Sequence, residues 1–244
     1  MPTSRAGRCI LTWNLYHGRS DPPAGRSLAA EFAAQIAAWP WDVALLQEVP
    51  PWWTSDLARS AGAEGRTAMT SRNALLPLRR ALAERHPDLI KSNGGGSNAI
   101  LIRGDPVLAH REIRLRWWPE RRVAQLVRLE SGTVIVNTHL STPASRTPDP
   151  RARAREELAR VWRLALAEAG RQAPLILGGD LNLFDPAAPF DRPAAAGHAV
   201  DHIIARGCGA VLASRTPDHA VVVAGRDVRL SDHEPLIVEL GDRA

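Results

Sequence analysis

The sequence is short of lysine, cysteine and long apolar runs, and each shortage closes off a class of protein. Its two cysteines, Cys9 and Cys208, lie far apart in unrelated contexts. That is neither the density of a disulfide scaffold nor the CxxC spacing of a zinc site, and both read as buried small hydrophobes. No stretch approaches the roughly 18 consecutive apolar residues of a membrane span. The basic start, Met1 to Cys9, runs into an apolar stretch broken by Trp13 and Asn14, without the small-residue cleavage site of an export signal. A soluble, cytoplasmic chain is expected. Lysine occurs once, at Lys91, so arginine carries the net charge of +5 and the pI of about 10.4. Arginine suits bidentate phosphate contacts, which favours an anionic partner. It is also abundant here alongside Ala, Gly and Pro, as the base composition of a gene can dictate, so charge alone decides little.

What is present is ordinary globular usage: 45% hydrophobic and 23% charged residues, far from the signature of disorder. The 244 residues carry no repeat and no charge run that would mark a second unit, so a single domain over 1–244 is expected. Cys9 to Leu15 reads as a strand ending in the polar cluster Asn14, Tyr16, His17, Gly18. A helix follows from an N-cap at Ser27, with Leu28, Phe32 and Ile36 on one face and a stop before Pro40. Asp42 to Val49 is a strand buried on both faces, carrying Gln47 and Glu48 at its far end.

Leu75, Leu78 and Leu82 predict a helix ending near His86, since the residue before Pro87 is pushed out of the α region. Strands are expected at Ala99 to Arg103 and at about 109–116, 122–129 and 133–140. The last two flank the hairpin turn Glu130-Ser131-Gly132. An amphipathic helix spans about 151–169, with Leu158, Val161, Trp162, Ala165 and Ala169 inward and Gly170 as its stop. Strands at 174–178, 201–205, 219–224 and 235–240 complete the pass, and the Pro- and Ala-rich segment Pro186 to Gly197 reads as a long surface loop. Many strands with few helices imply two packed sheets with helices outside.

Polar clusters recur at one kind of place, the end of a predicted buried strand: Asn14, Glu48, His139, Asp180 with Asn182, Asp201, and Asp232 with His233. Strands lying side by side bring their ends together, and carboxylates gathered that way repel one another unless a cation or a phosphate-bound cation neutralises them. Oxygen ligands suit Mg²⁺, Mn²⁺ or Ca²⁺ rather than a soft metal. Each cluster also has a plain alternative. Asn14 is readable as a turn residue, Glu48 as a solvated strand end, Gly178-Gly179-Asp180 and Ser231-Asp232-His233 as turns, and His139 as a hydrogen-bonded core histidine.

In order, Thr12-Trp13-Asn14, Leu46-Gln47-Glu48, Asn137-Thr138-His139-Leu140, Gly179-Asp180-Leu181-Asn182, Val200-Asp201-His202-Ile203 and Ser231-Asp232-His233-Glu234-Pro235-Leu236 form a series. Together with Ser97-Asn98-Ala99-Ile100-Leu101, the series resembles the successive signatures of the endonuclease/exonuclease/phosphatase superfamily, DNase I-like metal-dependent phosphoesterases. The resemblance implies an α+β fold, a four-layer α/β/β/α sandwich with two mixed, mostly antiparallel sheets. It implies Mg²⁺ or Mn²⁺ held by Asn14, Glu48 and Asp232. It assigns catalytic roles to His139, Asp180, Asn182, Asp201 and His233, with Asp180 or His233 as base. Substrate contacts are expected at Asn98, Arg121 and Arg122. One departure from DNase I-like members is that Lys91 to Ser97 lacks the acid that pairs with the residue matching His139. The glycine run there fits a loose dinucleotide-binding pattern but precedes a strand rather than a helix, which argues against it.

Arg111, Arg114, Arg116, Arg121, Arg122 and Arg128 surround Trp117-Trp118, a mixture able to contact phosphates and stack on bases, or else the outer face of an antiparallel ribbon. Arg146, Arg151, Arg153 and Arg155 extend such a groove or form a solvated helix face. The expected function is a metal-dependent phosphodiester hydrolase, a nuclease with DNA or RNA as substrate, needing no obligate protein partner and no membrane. The alternatives are a phosphatase or phosphodiesterase for a small or lipid phosphoester, and a silent binding module of the same fold.

Overall fold

A computed structural model describes residues 7–70, 73, 75–86, 96–117, 121–142, 149–186 and 194–242. Trp118, Arg146 and residues 91–95 lie outside them. Fifteen strands are described: β1 (Gly7–Asn14), β2 (Ser20–Asp21), β3 (Val43–Val49), β4 (Glu64–Thr70), β5 (Gly96–Ile102), β6 (Val107–Arg116), β7 (Arg122–Leu129), β8 (Val134–His139), β9 (Leu175–Asp180), β10 (Ala194–His198), β11 (Asp201–Arg206), β12 (Val211–Arg215), β13 (Ala220–Val223), β14 (Arg226–Leu230) and β15 (Leu236–Gly241). The helices are α1 (Ala29–Ala38), α2 (Thr54–Ser60), α3 (Leu76–Arg85) and α4 (Pro150–Ala169).

Two six-stranded sheets run in the orders β12-β15-β1-β3-β5-β4 and β10-β11-β9-β8-β7-β6, with a small sheet β13-β14-β2 beside them. Each large sheet has one parallel pair at its centre, β1 with β3 and β8 with β9, and antiparallel neighbours elsewhere. Ile10, Leu45, Ile100, Ile135, Ile176 and Ile203 form the core between the sheets. Phe32 and Ile36 of α1 with Leu57 of α2 cover the outer face of the first sheet, and Leu158, Val161 and Trp162 of α4 cover the second. This is the α/β/β/α layering that the sequence led us to expect. No described helix is long and apolar enough to cross a membrane.

Several local expectations are corrected. Ser27 is not the N-cap of α1: Leu28 holds that position without a side-chain cap, and the Ser27 hydroxyl lies 3.5 Å from the Ala29 N–H, two residues on. Gly178-Gly179-Asp180 is no turn but the end of β9, where backbones crowd. A Cβ on Gly179, with φ +135°, would meet the Thr138 carbonyl oxygen of parallel β8 at 1.9 Å, so only glycine fits. Of the segment Pro186 to Gly197, expected as a loop, residues 187–193 lie outside the described residues, and an unforeseen edge strand begins at Ala194. On α3 the leucine stripe faces outward, with Leu75 72%, Leu78 55% and Leu82 44% exposed.

Between the sheets, polar side chains bridge the apolar core. The register of β3 against β5 shifts between Leu46 and Val49, a bulge in which Glu48 takes φ +50°. Asn137 of β8 reaches across the core and donates to the Leu46 and Ala99 carbonyls, both at 2.9 Å, while its Oδ1 accepts from Gln47 Nε2 at 2.8 Å. Asn137 is thus the cross-sheet brace of the bulge that aims Glu48. Asn137→Leu leaves these buried groups unsatisfied, and we expect a loss of roughly 3 kcal/mol of stability. A lowered urea midpoint at unchanged slope would register it.

Candidate active site

Parallel strands share a direction, so their carboxyl ends share an edge. In the first sheet that edge carries Asn14, paired in register with Gln47, and then Glu48. In the second it carries His139 opposite Asp180, with Asp201 at the start of antiparallel β11 on the other side of Asp180. Stacking the sheets joins the two edges into one cleft. The Asn14 amide donates to Asp180 Oδ2 at 3.1 Å across it. His139 reaches both sheets, its Nε2 3.3 Å from Asp180 Oδ2 and its Nδ1 3.9 Å from Glu48 Oε1.

The loop after β14 supplies the rest. Ser231, at φ +88°, donates its hydroxyl to the Asn14 carbonyl at 2.6 Å, and the buried Trp13 indole donates to the His233 carbonyl at 2.9 Å. These bonds hold His233 with Nδ1 2.8 Å from Asp201 Oδ2 and Nε2 3.8 Å from Asp180 Oδ2. Burial alone would lower the His233 pKa, but the hydrogen bond and charge of Asp201, with Asp180 and Asp232, raise it to about 9. His233 is therefore an imidazolium near neutrality.

Burial, reinforced by the charge of Asp201, pushes the Asp180 carboxyl up, against the pull of His233 and Asn14. Its Oδ1 accepts the Asn182 N–H at 3.1 Å, and Asn182, at φ +53°, anchors its own amide on the Leu140 carbonyl at 3.0 Å. Burial, then the charge of Arg122, drives His139 well below the ordinary histidine range, so that ring is neutral. Burial opposes ionisation of Glu48, yet the contact with His17 and the charge of Arg122 hold it well below the carboxylate range. Partial burial raises Asp232 at the rim, with the like charge of Glu48 adding to it against His233.

Asn14, Glu48, His139, Asp180, Asn182, Asp201, Asp232 and His233 thus gather at one cleft, and the buried Arg122 stands close enough to act on Glu48 and His139. Substrate contacts are also expected from Asn98 and Arg121. Asn98 is wholly buried, donating to the Val123 carbonyl at 2.9 Å, and Arg121 pairs with Glu112 at 3.4 Å. The arginine belt is partly structural as well: Arg111 and Arg128 both bind Glu168 of α4, at 2.7 and 3.1 Å. Arg114 stacks 5.0 Å over the exposed Trp117 ring.

Sequence reasoning gives no role to His17, whose Nε2 lies 2.7 Å from Glu48 Oε2. The signal available was its place three residues after Asn14, in a tight turn where it takes φ +57°. The donor set fits a hard divalent cation. Glu48 and Asp232 are like charges within coupling range, and the buried Asp201 Oδ1 has no hydrogen-bond partner among the described residues. Among the described residues, Asp180, Asp201 and His233 also bring their ligand-type atoms within 4.8 Å of one another.

The sequence model of the endonuclease/exonuclease/phosphatase family matches residues 11–233. The chain belongs to that family. Its members hydrolyse phosphoesters. A solved endonuclease/exonuclease/phosphatase from Beutenbergia cavernae is similar at 20% identity and TM-score 0.67, covering 98% of this chain and 72% of that one. A mannosyl-6-phosphatase from Bacteroides thetaiotaomicron, Bt3783, is similar at 14% identity and TM-score 0.69, covering 96% and 99%. TDP2 from D. rerio, complexed with a single-strand DNA product, is similar at 16% identity and TM-score 0.67, covering 97% and 99%. No curated protein sequence matches the chain.

Proposed function

We propose that this family member is a divalent-metal-dependent phosphodiester hydrolase, a nuclease that cleaves DNA or RNA by in-line attack of water. The observation that carries the reading is the meeting of Glu48, His139, Asp180 and the Asp201–His233 pair in one cleft, where two sheet edges abut. Glu48, with Asn14 and Asp232, would hold Mg²⁺ or Mn²⁺. When bound, that cation supplies Lewis-acid stabilisation of charge growing on the phosphoryl oxygens.

The chain's own groups supply the rest. Asp180, with one oxygen fixed by the Asn14 amide and the other by the Asn182 N–H, orients the attacking water and accepts its proton; its raised affinity for protons suits that task. The His233 imidazolium, held by Asp201, presents positive charge to the phosphoryl group. Neutral His139, whose buried Nε2 makes no hydrogen bond, is free to donate to a phosphoryl or leaving oxygen. No side chain is placed to form a covalent intermediate in this scheme.

The TDP2 neighbour with its DNA product supports nucleic acid as substrate, as do the Arg114–Trp117 stack and the exposed Arg151 and Arg155 on α4. Purified protein is expected to nick supercoiled plasmid or cleave RNA with Mg²⁺ or Mn²⁺ and to fall silent with EDTA, read on gels. Turnover of small or lipid phosphoesters with every nucleic acid intact would replace the nuclease reading with a phosphatase one.

A further inference from the structure

A cavity of about 170 Å³ opens beside the cleft, between the turn after β1, the start of α1, the segment after β3, and α3. His17 belongs to both: its ring lines the cavity while its Nε2 touches Glu48 at 2.7 Å. Pro50, Pro51 and Trp52 form another wall. They follow Glu48 by two to four residues, so a stiff proline pair and an aromatic face are tied covalently to the carboxylate at the cleft.

Four charged side chains line this space, and their balance is uneven. Asp56 is compensated by Arg59 at 2.6 Å, and Glu84 by Arg80 at 2.8 Å. Arg79 has no side-chain partner among the described residues, although it is partly buried. Helix α3, which carries it, buries none of its residues and exposes Leu75, Leu78 and Leu82, while Arg79 and Ala83 line the cavity. An amphipathic helix ordinarily turns its leucines inward. Here it turns a lone guanidinium toward a cavity next to the reaction centre.

We infer that this cavity is a specificity subsite for the part of the substrate beyond the scissile phosphate, and that it takes a ring bearing its own phosphate. The ring lies against Trp52 and the prolines, and its phosphate meets Arg79. The inference rests on the phosphoesterase reading and narrows it to substrates with two anionic groups on either side of one ring. The next nucleotide of a strand has this chemistry, and so does a phosphorylated sugar.

The experiment compares two ligand pairs that differ by one phosphate: a thymidine dinucleotide with and without a terminal phosphate, and a hexose bisphosphate against a hexose monophosphate. Wild type should show higher kcat/KM for the more phosphorylated member of one pair, which names the source. Arg79→Ala should reduce that ratio by about tenfold or more, the effect of losing one charge-assisted hydrogen bond. Trp52→Ala should raise KM for both members, and Arg163→Ala on the exposed face of α4 should leave all ratios as they are. Calorimetric titration of the same ligands with EDTA present asks the question without turnover. Tighter binding of the extra phosphate, lost in Arg79→Ala, supports the subsite even if no substrate is hydrolysed and the phosphoesterase reading fails. Equal binding of both members, or a preference that survives Arg79→Ala, overturns it.

Discussion

Asp180→Asn is expected to lower kcat by about 10³-fold, the middle of the range for removing a positioned general base, with the fold and metal affinity largely retained. The substitution is nearly isosteric, and the amide oxygen can still accept the Asn182 N–H, while the bond from the Asn14 amide to the other oxygen is given up. What disappears is the one buried carboxylate held from both sheets, 3.3 Å from His139 and 3.8 Å from His233. Because burial and Asp201 already disfavour charge at Asp180, neutralising it relieves repulsion. Unfolding by urea should therefore show Asp180→Asn as stable as wild type or slightly more so. A variant that folds and turns over within a few-fold of wild type would move the base role to His233.

Glu48→Gln is expected to act on a different quantity. Glu48 stays ionised through His17 and Arg122, and it is the carboxylate that best suits a hard cation. Replacing it should weaken Mn²⁺ or Mg²⁺ binding by at least about a hundredfold, since even outer partners of metal ligands are worth 10- to 100-fold. The readout is the rise in melting temperature on adding metal, which reports affinity by mass action and needs no substrate. Wild type should show the rise and Glu48→Gln should not at the same concentration. An equal rise in both proteins would place the cation elsewhere, and the trio Asp180, Asp201 and His233 would be the next set to test.

The legible parts of the fold are those where burial on both faces writes a continuous apolar run. β3, β7, β8, β9 and β11 all emerge from the sequence within about two residues of their observed ends, as does α4. The strands missed, β2, β4, β10, β12 and β14, are edge or small-sheet strands whose partly exposed residues leave neither a run nor a clean alternation. Gly178 and Gly179 read as a turn because their cause is a neighbouring backbone, which no local pattern records. The same limit applies to charge. Arg111 and Arg128 look like a nucleic-acid surface until Glu168, 57 and 40 residues away, turns out to hold them.

At the site, the order of motifs made Asn14, Glu48, His139, Asp180, Asp201 and His233 recognisable, since each lies at or beside a strand end. His17 escaped because its importance is a contact and its motif is only a turn. The partners of Asn98 and Arg121, the Val123 carbonyl and Glu112, are likewise contacts that no motif records.

The proposed catalytic groups hang from two different sheets, so the gap between them is measured out by the hydrocarbon layer that keeps those sheets apart. Ile135, Ile176 and Ile203 act in effect as spacers, and thinning them would let Glu48 and Asp180 drift relative to each other. A displacement of about 1 Å can cost a hundredfold in rate while hardly troubling a cooperative unfolding curve. Turnover is thus the most sensitive gauge of how well the interior is filled, even at residues far from any phosphate.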